Sequence, residues 1–213
     1  METAMRNISS KYRTINSVID IGASNGSWSL SLKNHLPNCK YLLIEAQEFH
    51  KKALHKTCEI HENFQYILAA AGKSKGKIYF NAEDPLGGQA SYTPYESHNI
   101  EVDVTSIDSE VQSKNLKGPF LLKFDTHGFE VPILEGANKT LEQTEVIVME
   151  CYNFNIAPEC LLFYEMCAYL NEIGFRCVDL VDPLHRPIDN AFWQMDLIFI
   201  KNDSTVFSSL TYD

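Results

Sequence analysis

The chain has 213 residues, 45% apolar and 22% charged, enough to bury a full core within the size of one domain. No run approaches the roughly 18 uninterrupted apolar residues of a membrane helix, and the N-terminal METAMRNISSKYRTINS lacks the apolar block of a secretory signal, so the default expectation is a cytoplasmic single domain, 1–213, with 1–16 as an N-terminal extension. A formal net charge of -10 argues against nucleic acid as a partner, because phosphate-backbone binding draws its affinity from clustered Lys and Arg.

Strand-like runs alternate with helix-length amphipathic segments, the pattern of an α/β fold with helices on both faces of a sheet. SVIDI (17–21) reads as a buried first strand, YLLIE (41–45) as the second and FQYILA (64–69) as the third. Helices are predicted at 27–35, stopping before Pro37, and at 48–56, where Phe49, Ala53 and Leu54 recur at helical spacing. Beyond Gly72 come a strand at 77–81, a turn-rich loop at 83–97 with Pro85, Gly87, Gly88 and Pro94, and a segment at 100–105 that alternates as an edge strand does. FLLKFD (120–125) returns to a buried strand, followed by a helix at 130–141 and the strand VIVME (146–150). The clearest amphipathic helix, 158–173, is capped by Gly174, and strands at 175–181 and 194–200 make an antiparallel hairpin. None of the six cysteines stands in a C-x-x-C pair, and several lie in apolar runs where a thiol packs as a small hydrophobe.

Chemistry first gathers at VIDIGASNGS (18–27), where an acid ends a strand, two glycines follow and a helix begins at once. Glycine lets the backbone take unusual dihedrals and lets a ligand come close, and a helix start offers unpaired N–H groups. Gly22, Ala23, Ser24, Asn25 and Gly26 thus form a candidate nucleoside cradle, although such a turn also serves purely structural ends. Asp20 is positioned to pair with an ammonium group, and Glu45, followed by Ala46, ends the second strand, where a carboxylate accepts both hydroxyls of a ribose. G-A-S-N-G lacks the G-x-G-x-x-G of a dinucleotide site, and a dinucleotide carries no ammonium, so S-adenosylmethionine is favoured over a nicotinamide or flavin cofactor.

A second group, Asp125, His127, Glu130 and Glu150, falls at the ends of the next inner strands, on the edge where ligands bind in open α/β sheets. Asp125 is the candidate base for a hydroxyl acceptor. His127 is a base, an acceptor-orienting group or an ordinary polar histidine; Glu130 serves the site or the dipole of the helix it opens; Lys123 is a structural ion pair or a catalytic part. Asp125, His127 and Glu150 are ligand types for Mg²⁺, but the expectation is that no metal is required. The loop 84–92 suits closure over a polyol, with Gln89, Ser91 and Tyr92 as acceptor contacts, while Trp193 and Gln194 form an acceptor wall or pack the terminal hairpin.

From about residue 17 to 200 these residues resemble class I S-adenosylmethionine-dependent methyltransferases and, within them, the FkbM family. VIDIGASNG with IEA (44–46) looks like the cofactor motif and ribose acid, and Lys123, Asp125, Gly128, Glu130, Gly136 and Ala137 match K-x-D-x-E-G-x-E followed by V-L-x-G-A. His127 stands where that pattern carries a glutamate. The resemblance implies a Rossmann-like methyltransferase sandwich: a mostly parallel seven-stranded sheet, a C-terminal antiparallel hairpin and helices on both faces. It further implies O-methylation of a sugar, glycan or secondary-metabolite hydroxyl. An N-methyltransferase of the same fold, a nucleoside-binding protein without catalysis and a nicotinamide oxidoreductase are the competing expectations, and monomer and homodimer are equally compatible with the sequence.

Overall fold

SVIDI is buried at every position, as an interior parallel strand must be, and forms β1 (Ser17–Ile21) near the middle of the main sheet. In the computed structural model, which describes residues 1–12 and 14–212, β1 pairs in parallel with β2 (Lys40–Glu45) on one side and β8 (Phe120–Phe124) on the other. β3 (Phe64–Leu68) and β9 (Thr144–Tyr152) extend the sheet in parallel, and β10 (Phe175–His185) and β11 (Phe192–Lys201) close it as an antiparallel pair. The order β10-β11-β9-β8-β1-β2-β3 is the mostly parallel seven-stranded sheet with a terminal hairpin that the resemblance implied. Strand order reverses between β1 and β8, so their carboxyl ends open a crevice, the usual ligand position in such sheets.

A second sheet of four strands was not anticipated: β4 (Ala70–Ala71), β7 (Asn99–Thr105), β5 (Gly76–Asn81) and β6 (Gln89–Ser91), in that spatial order. β7 is therefore an interior strand of this sheet and not an edge. Its alternation reflects one face packed on the core, through Val102 and Val104, and one face in water, which any antiparallel strand can show.

Helices cover both faces. One core joins β1, β2, β8 and β9 to Ile107 of α4 (Ile107–Ser113), Ile133 of α5 (Glu130–Glu135), Leu141 of α6 (Asn138–Glu142) and Met166 of α7 (Phe163–Glu172). The other joins the opposite face to α1 (Glu2–Lys11), α2 (Ser27–Lys33) and α3 (Lys51–Ile60). The residues read as an extension thus include a helix that buries Ala4, Met5 and Ile8. The helix expected at 130–141 is broken at Gly136 and Ala137, where ψ rises to 4° and 15°, and Gly136 lies so close to Gly72 that an added Cβ would stand 2.2 Å from its carbonyl oxygen. The helix expected from 158 begins at Phe163, where Glu165 accepts the Leu162 N–H at 2.9 Å and fixes the start. No helix among the described residues is long and apolar enough to cross a membrane.

Candidate active site

The crevice is shaped by a close backbone approach. Gly22 N–H donates to Ile44 O and Asp125 N–H to Ile21 O, both at 2.9 Å, so the turn after β1 is wedged between the ends of β2 and β8. Gly22 has φ +76°, and a Cβ there would sit 1.9 Å from Asp125 O; only glycine fits. Beyond it, Ser24 N–H and Gln47 N–H each donate to Glu45, to Oε2 and Oε1 respectively, at 2.7 Å. Two backbone amides thereby hold the 6% exposed Glu45 carboxylate at the wall of a cavity of about 660 Å³, the size of a ligand site.

Of the predicted cofactor residues, Gly22, Ser24, Glu45 and Ala46 line this cavity. Ala23, Asn25 and Gly26 shape the turn behind it, Asn25 Oδ1 accepting the Ser27 N–H at 3.0 Å where α2 begins. Asp20 is enclosed and does not line it: Oδ2 accepts the Ser29 hydroxyl at 2.7 Å, and Oδ1 lies 3.9 Å from Lys123 Nζ with no hydrogen-bond partner among the described residues. Burial pushes its carboxyl up despite Lys123. The direct ionic contact with a ligand ammonium expected of Asp20 is therefore not set up by this geometry.

The other end of the cavity holds Asp125, His127 and Glu150. Lys123 Nζ donates to Asp125 Oδ2 at 2.5 Å. Burial works against the Asp125 carboxylate, but Lys123 and then His127 outweigh it and hold the group below its usual range. Glu150 accepts from the Tyr152 hydroxyl and Gln194 Nε2, and burial together with the Asp125 charge pushes it up to about 8. His127, at φ +53°, aims Nδ1 at Gly88 O (3.2 Å) and Nε2 at Asp125 Oδ1 (3.6 Å) and Glu150 Oε2 (3.7 Å). Ligand-type atoms of these three residues lie within 4.8 Å of one another, a grouping able to hold a metal ion.

Glu130 does not join them. It is 3% exposed and its Oε1 accepts the Gly128 N–H at 2.9 Å and the Thr126 hydroxyl at 3.1 Å, so its carboxylate ties the turn before α5.

Of the predicted acceptor residues, Gln89, Trp193 and Gln194 line the cavity, Trp193 with Phe154 stacked on it at 5.0 Å. Ser91 is buried with its hydroxyl 3.1 Å from that of Thr93, and Tyr92 is exposed, its ring tilted 5.3 Å from Phe129; neither reaches the cavity. Gln89 and Ser91 share a face of β6, but Ser91 stands two residues further along, opposite Tyr79, and Tyr92 follows past the end of the strand.

Sequence reasoning missed Gln47 and His50. Gln47 Nε2 donates to Asp84 O (3.2 Å) and Pro85 O (3.1 Å), and His50 Nε2 lies 2.7 Å from Pro85 O, clamping the loop over the cavity. It also missed the apolar wall of Ala69, Ala70, Ala71, Phe80 and Leu86. The run of small residues at 69–72 was visible in the sequence; the reach of Gln47 across 37 positions was not.

Comparison with known proteins fits this arrangement. The model of the methyltransferase FkbM domain matches residues 20–177. Among solved structures, the methyltransferase FkbM of Methylobacillus flagellatus is similar at 16% identity over 87% of this chain and 43% of that one, with a TM-score of 0.58. The fibrillarin pre-rRNA processing protein of Methanococcus jannaschii gives 15%, 88%, 67% and 0.54, and a Streptococcus pneumoniae protein solved in complex with S-adenosyl-L-methionine gives 13%, 93%, 72% and 0.53. At such identities the likeness is one of fold, and the chain spans less than half the length of the Methylobacillus protein. No curated protein matches the sequence.

Proposed function

Given that this chain belongs to the FkbM family of S-adenosylmethionine-dependent methyltransferases, we propose that it moves a methyl group from S-adenosylmethionine to a hydroxyl of a sugar, glycan or secondary metabolite. The observation that carries this reading is one cavity running from Glu45, held by two amides, to Asp125, His127 and Glu150 beneath Trp193.

The donor fits the first end. Glu45 has lone pairs left for the two ribose hydroxyls, Ala69 to Ala71 with Phe80 offer an apolar wall to a flat base, and Gly22, pressed against Asp125 O, sets the turn that lines this end. Asp20 supports the turn from behind through Ser29 and Lys123. When bound, the donor supplies an electrophilic methyl group on sulfur. The chain's own part is alignment, which can contribute roughly 7–11 kcal/mol to such a displacement.

The second end suits an oxygen acceptor. Trp193 presents an aromatic face and Gln89 and Gln194 polar groups, a combination apt for a polyol. A hydroxyl must lose its proton as it attacks, and assistance there is worth about 10² to 10⁴ in rate. Asp125, the base read from the sequence, is weak alone because Lys123 occupies Oδ2 and lowers its basicity. Assistance to proton loss therefore rests on the three residues as a group and not on Asp125 alone. An amine attacks through a lone pair and needs no such group, so the trio favours oxygen over nitrogen.

The test is a screen with labelled donor, headed by nucleotide sugars and oligosaccharides and including amines and RNA. Label in a sugar ether is expected; transfer only to amines or RNA rejects the acceptor class. Calorimetry that finds NAD bound and S-adenosylhomocysteine not bound rejects the donor.

A further inference from the structure

Three side chains of metal-ligand type face one another at the acceptor end, with ligand-type atoms all within 4.8 Å of one another. Gly88 O can only accept, so His127 donates to it from Nδ1, at 3.2 Å, which leaves Nε2 as the ring atom turned to the cavity. Nε2 stands 3.6 Å from Asp125 Oδ1 and 3.7 Å from Glu150 Oε2. Groups so gathered need a shared positive centre, and a metal ion can take the place of a proton there.

Each side chain is also anchored from outside the group: His127 by a backbone carbonyl, Asp125 by Lys123, Glu150 by Gln194 and Tyr152. Metal ligands are held in this way, the imidazole giving its second N–H to a carbonyl and the carboxylates being hydrogen-bonded behind. Two carboxylate oxygens with one imidazole suit an oxygen-preferring ion that tolerates nitrogen. Adjacent ligands of a six-coordinate ion at about 2.1 Å stand about 3.0 Å apart, so Nε2 of His127, 3.6 Å from Asp125 and 3.7 Å from Glu150, lies within a small closure of each spacing.

We propose that Asp125, His127 and Glu150 bind one divalent cation of the Mg²⁺ and Mn²⁺ class, which takes the acceptor hydroxyl as a further ligand. The ligand role of the hydroxyl rests on the methyl-transfer reading above, and the trio becomes a cradle for the ion where the sequence led us to expect no metal. An ion there lowers the hydroxyl's pKa. The O–H proton passes to solvent water, the oxygen bonds the methyl carbon, and the C–S bond breaks with its electron pair remaining on sulfur.

Mn²⁺ titrated into the intact chain, followed by the electron paramagnetic resonance of the free ion, tests the proposal. One site per chain is expected, weakened roughly tenfold or more by His127→Ala and by Glu150→Gln. Glu101→Gln, which alters an exposed carboxylate paired with Lys77, leaves it unchanged. Absence of a saturable site, or a site that both cavity variants leave intact, overturns the proposal. Because alanine can unsettle the turn, His127→Glu serves as a second variant: it supplies an oxygen ligand and keeps Mn²⁺ binding within about tenfold of the wild type while weakening Zn²⁺, which favours imidazole. Equal loss of Mn²⁺ in the Ala and Glu variants removes the ligand role of His127. Calorimetry with S-adenosylhomocysteine on the same samples separates the two readings. A chain that binds the nucleoside but no Mn²⁺ loses the cation alone; one that binds Mn²⁺ but no nucleoside keeps the cation site and loses the methyl-transfer reading.

Discussion

Glu45 and Gly22 show how much one residue can decide. The Glu45 carboxylate is fixed by the amides of Ser24 and Gln47 before any ligand arrives, so a diol meets a preset acceptor. Glu45→Ala removes up to two charge-assisted hydrogen bonds at about 1.5–3 kcal/mol each and is expected to weaken S-adenosylhomocysteine binding at least about tenfold by calorimetry, with the fold retained. Gly22→Ala acts on the scaffold itself, since a Cβ would collide with Asp125 O. Its cost is expected to exceed about 2 kcal/mol, read as a lowered urea midpoint; an unshifted midpoint would contradict the wedged turn. Both residues were legible in the sequence because a glycine after a strand and an acid ending the next have few other uses. Glu130, left open between the site and the helix it opens, could not be placed for the opposite reason. Its spacing from Asp125 suits the site, but the left-handed Gly128 at φ +102° swings its carboxylate back onto the turn. Trp193 stays an acceptor wall in our reading, and Trp193→Ala is expected to raise the acceptor KM about tenfold while nucleoside affinity holds.

Elements differ in how plainly the sequence announces them. The inner parallel strands β1, β2, β8 and β9 are apolar runs buried along most of their length, so their positions could be read within one or two residues, β1 without error, whereas the largely solvated β10 runs on to His185, past the expected 181. The second sheet could not, because its strands are short, largely solvated and joined by pairings between distant segments, such as Gly76 with Val104. α4 escaped notice with only Ile107 fully buried, although Ser106 caps it by accepting the Ser109 N–H at 3.3 Å. The loop before β6 was seen as a loop, but not its attachments to Gln47 and His50. Replacing both by alanine is expected to free residues 83–88, measured as faster amide exchange there without change in the β1 amides. Equal exchange in variant and wild type would show that the clamp holds nothing.

At the scale of the molecule, α1 belongs to the fold. Ala4, Met5 and Ile8 are 1–3% exposed and join the core that includes Leu32 and Tyr41, so removing residues 1–11 uncovers apolar surface on both sides of the contact. A loss of several kcal/mol is expected, on the order of 1–3 for each large side chain, seen in the urea midpoint; wild-type stability would contradict it. The short apolar spacing of α1 gave little sign of this in the sequence. The roof over the cavity links its two ends. Residues 84 and 85 hang from Gln47 and His50 on the donor side, while Gly88, three positions on, meets the ring of His127 on the acceptor side. Lifting the roof to exchange the donor therefore disturbs the place where the acceptor sits. Steady-state kinetics should show a compulsory order, donor on first and S-adenosylhomocysteine off last. The spent donor would then inhibit competitively against fresh donor and noncompetitively against acceptor.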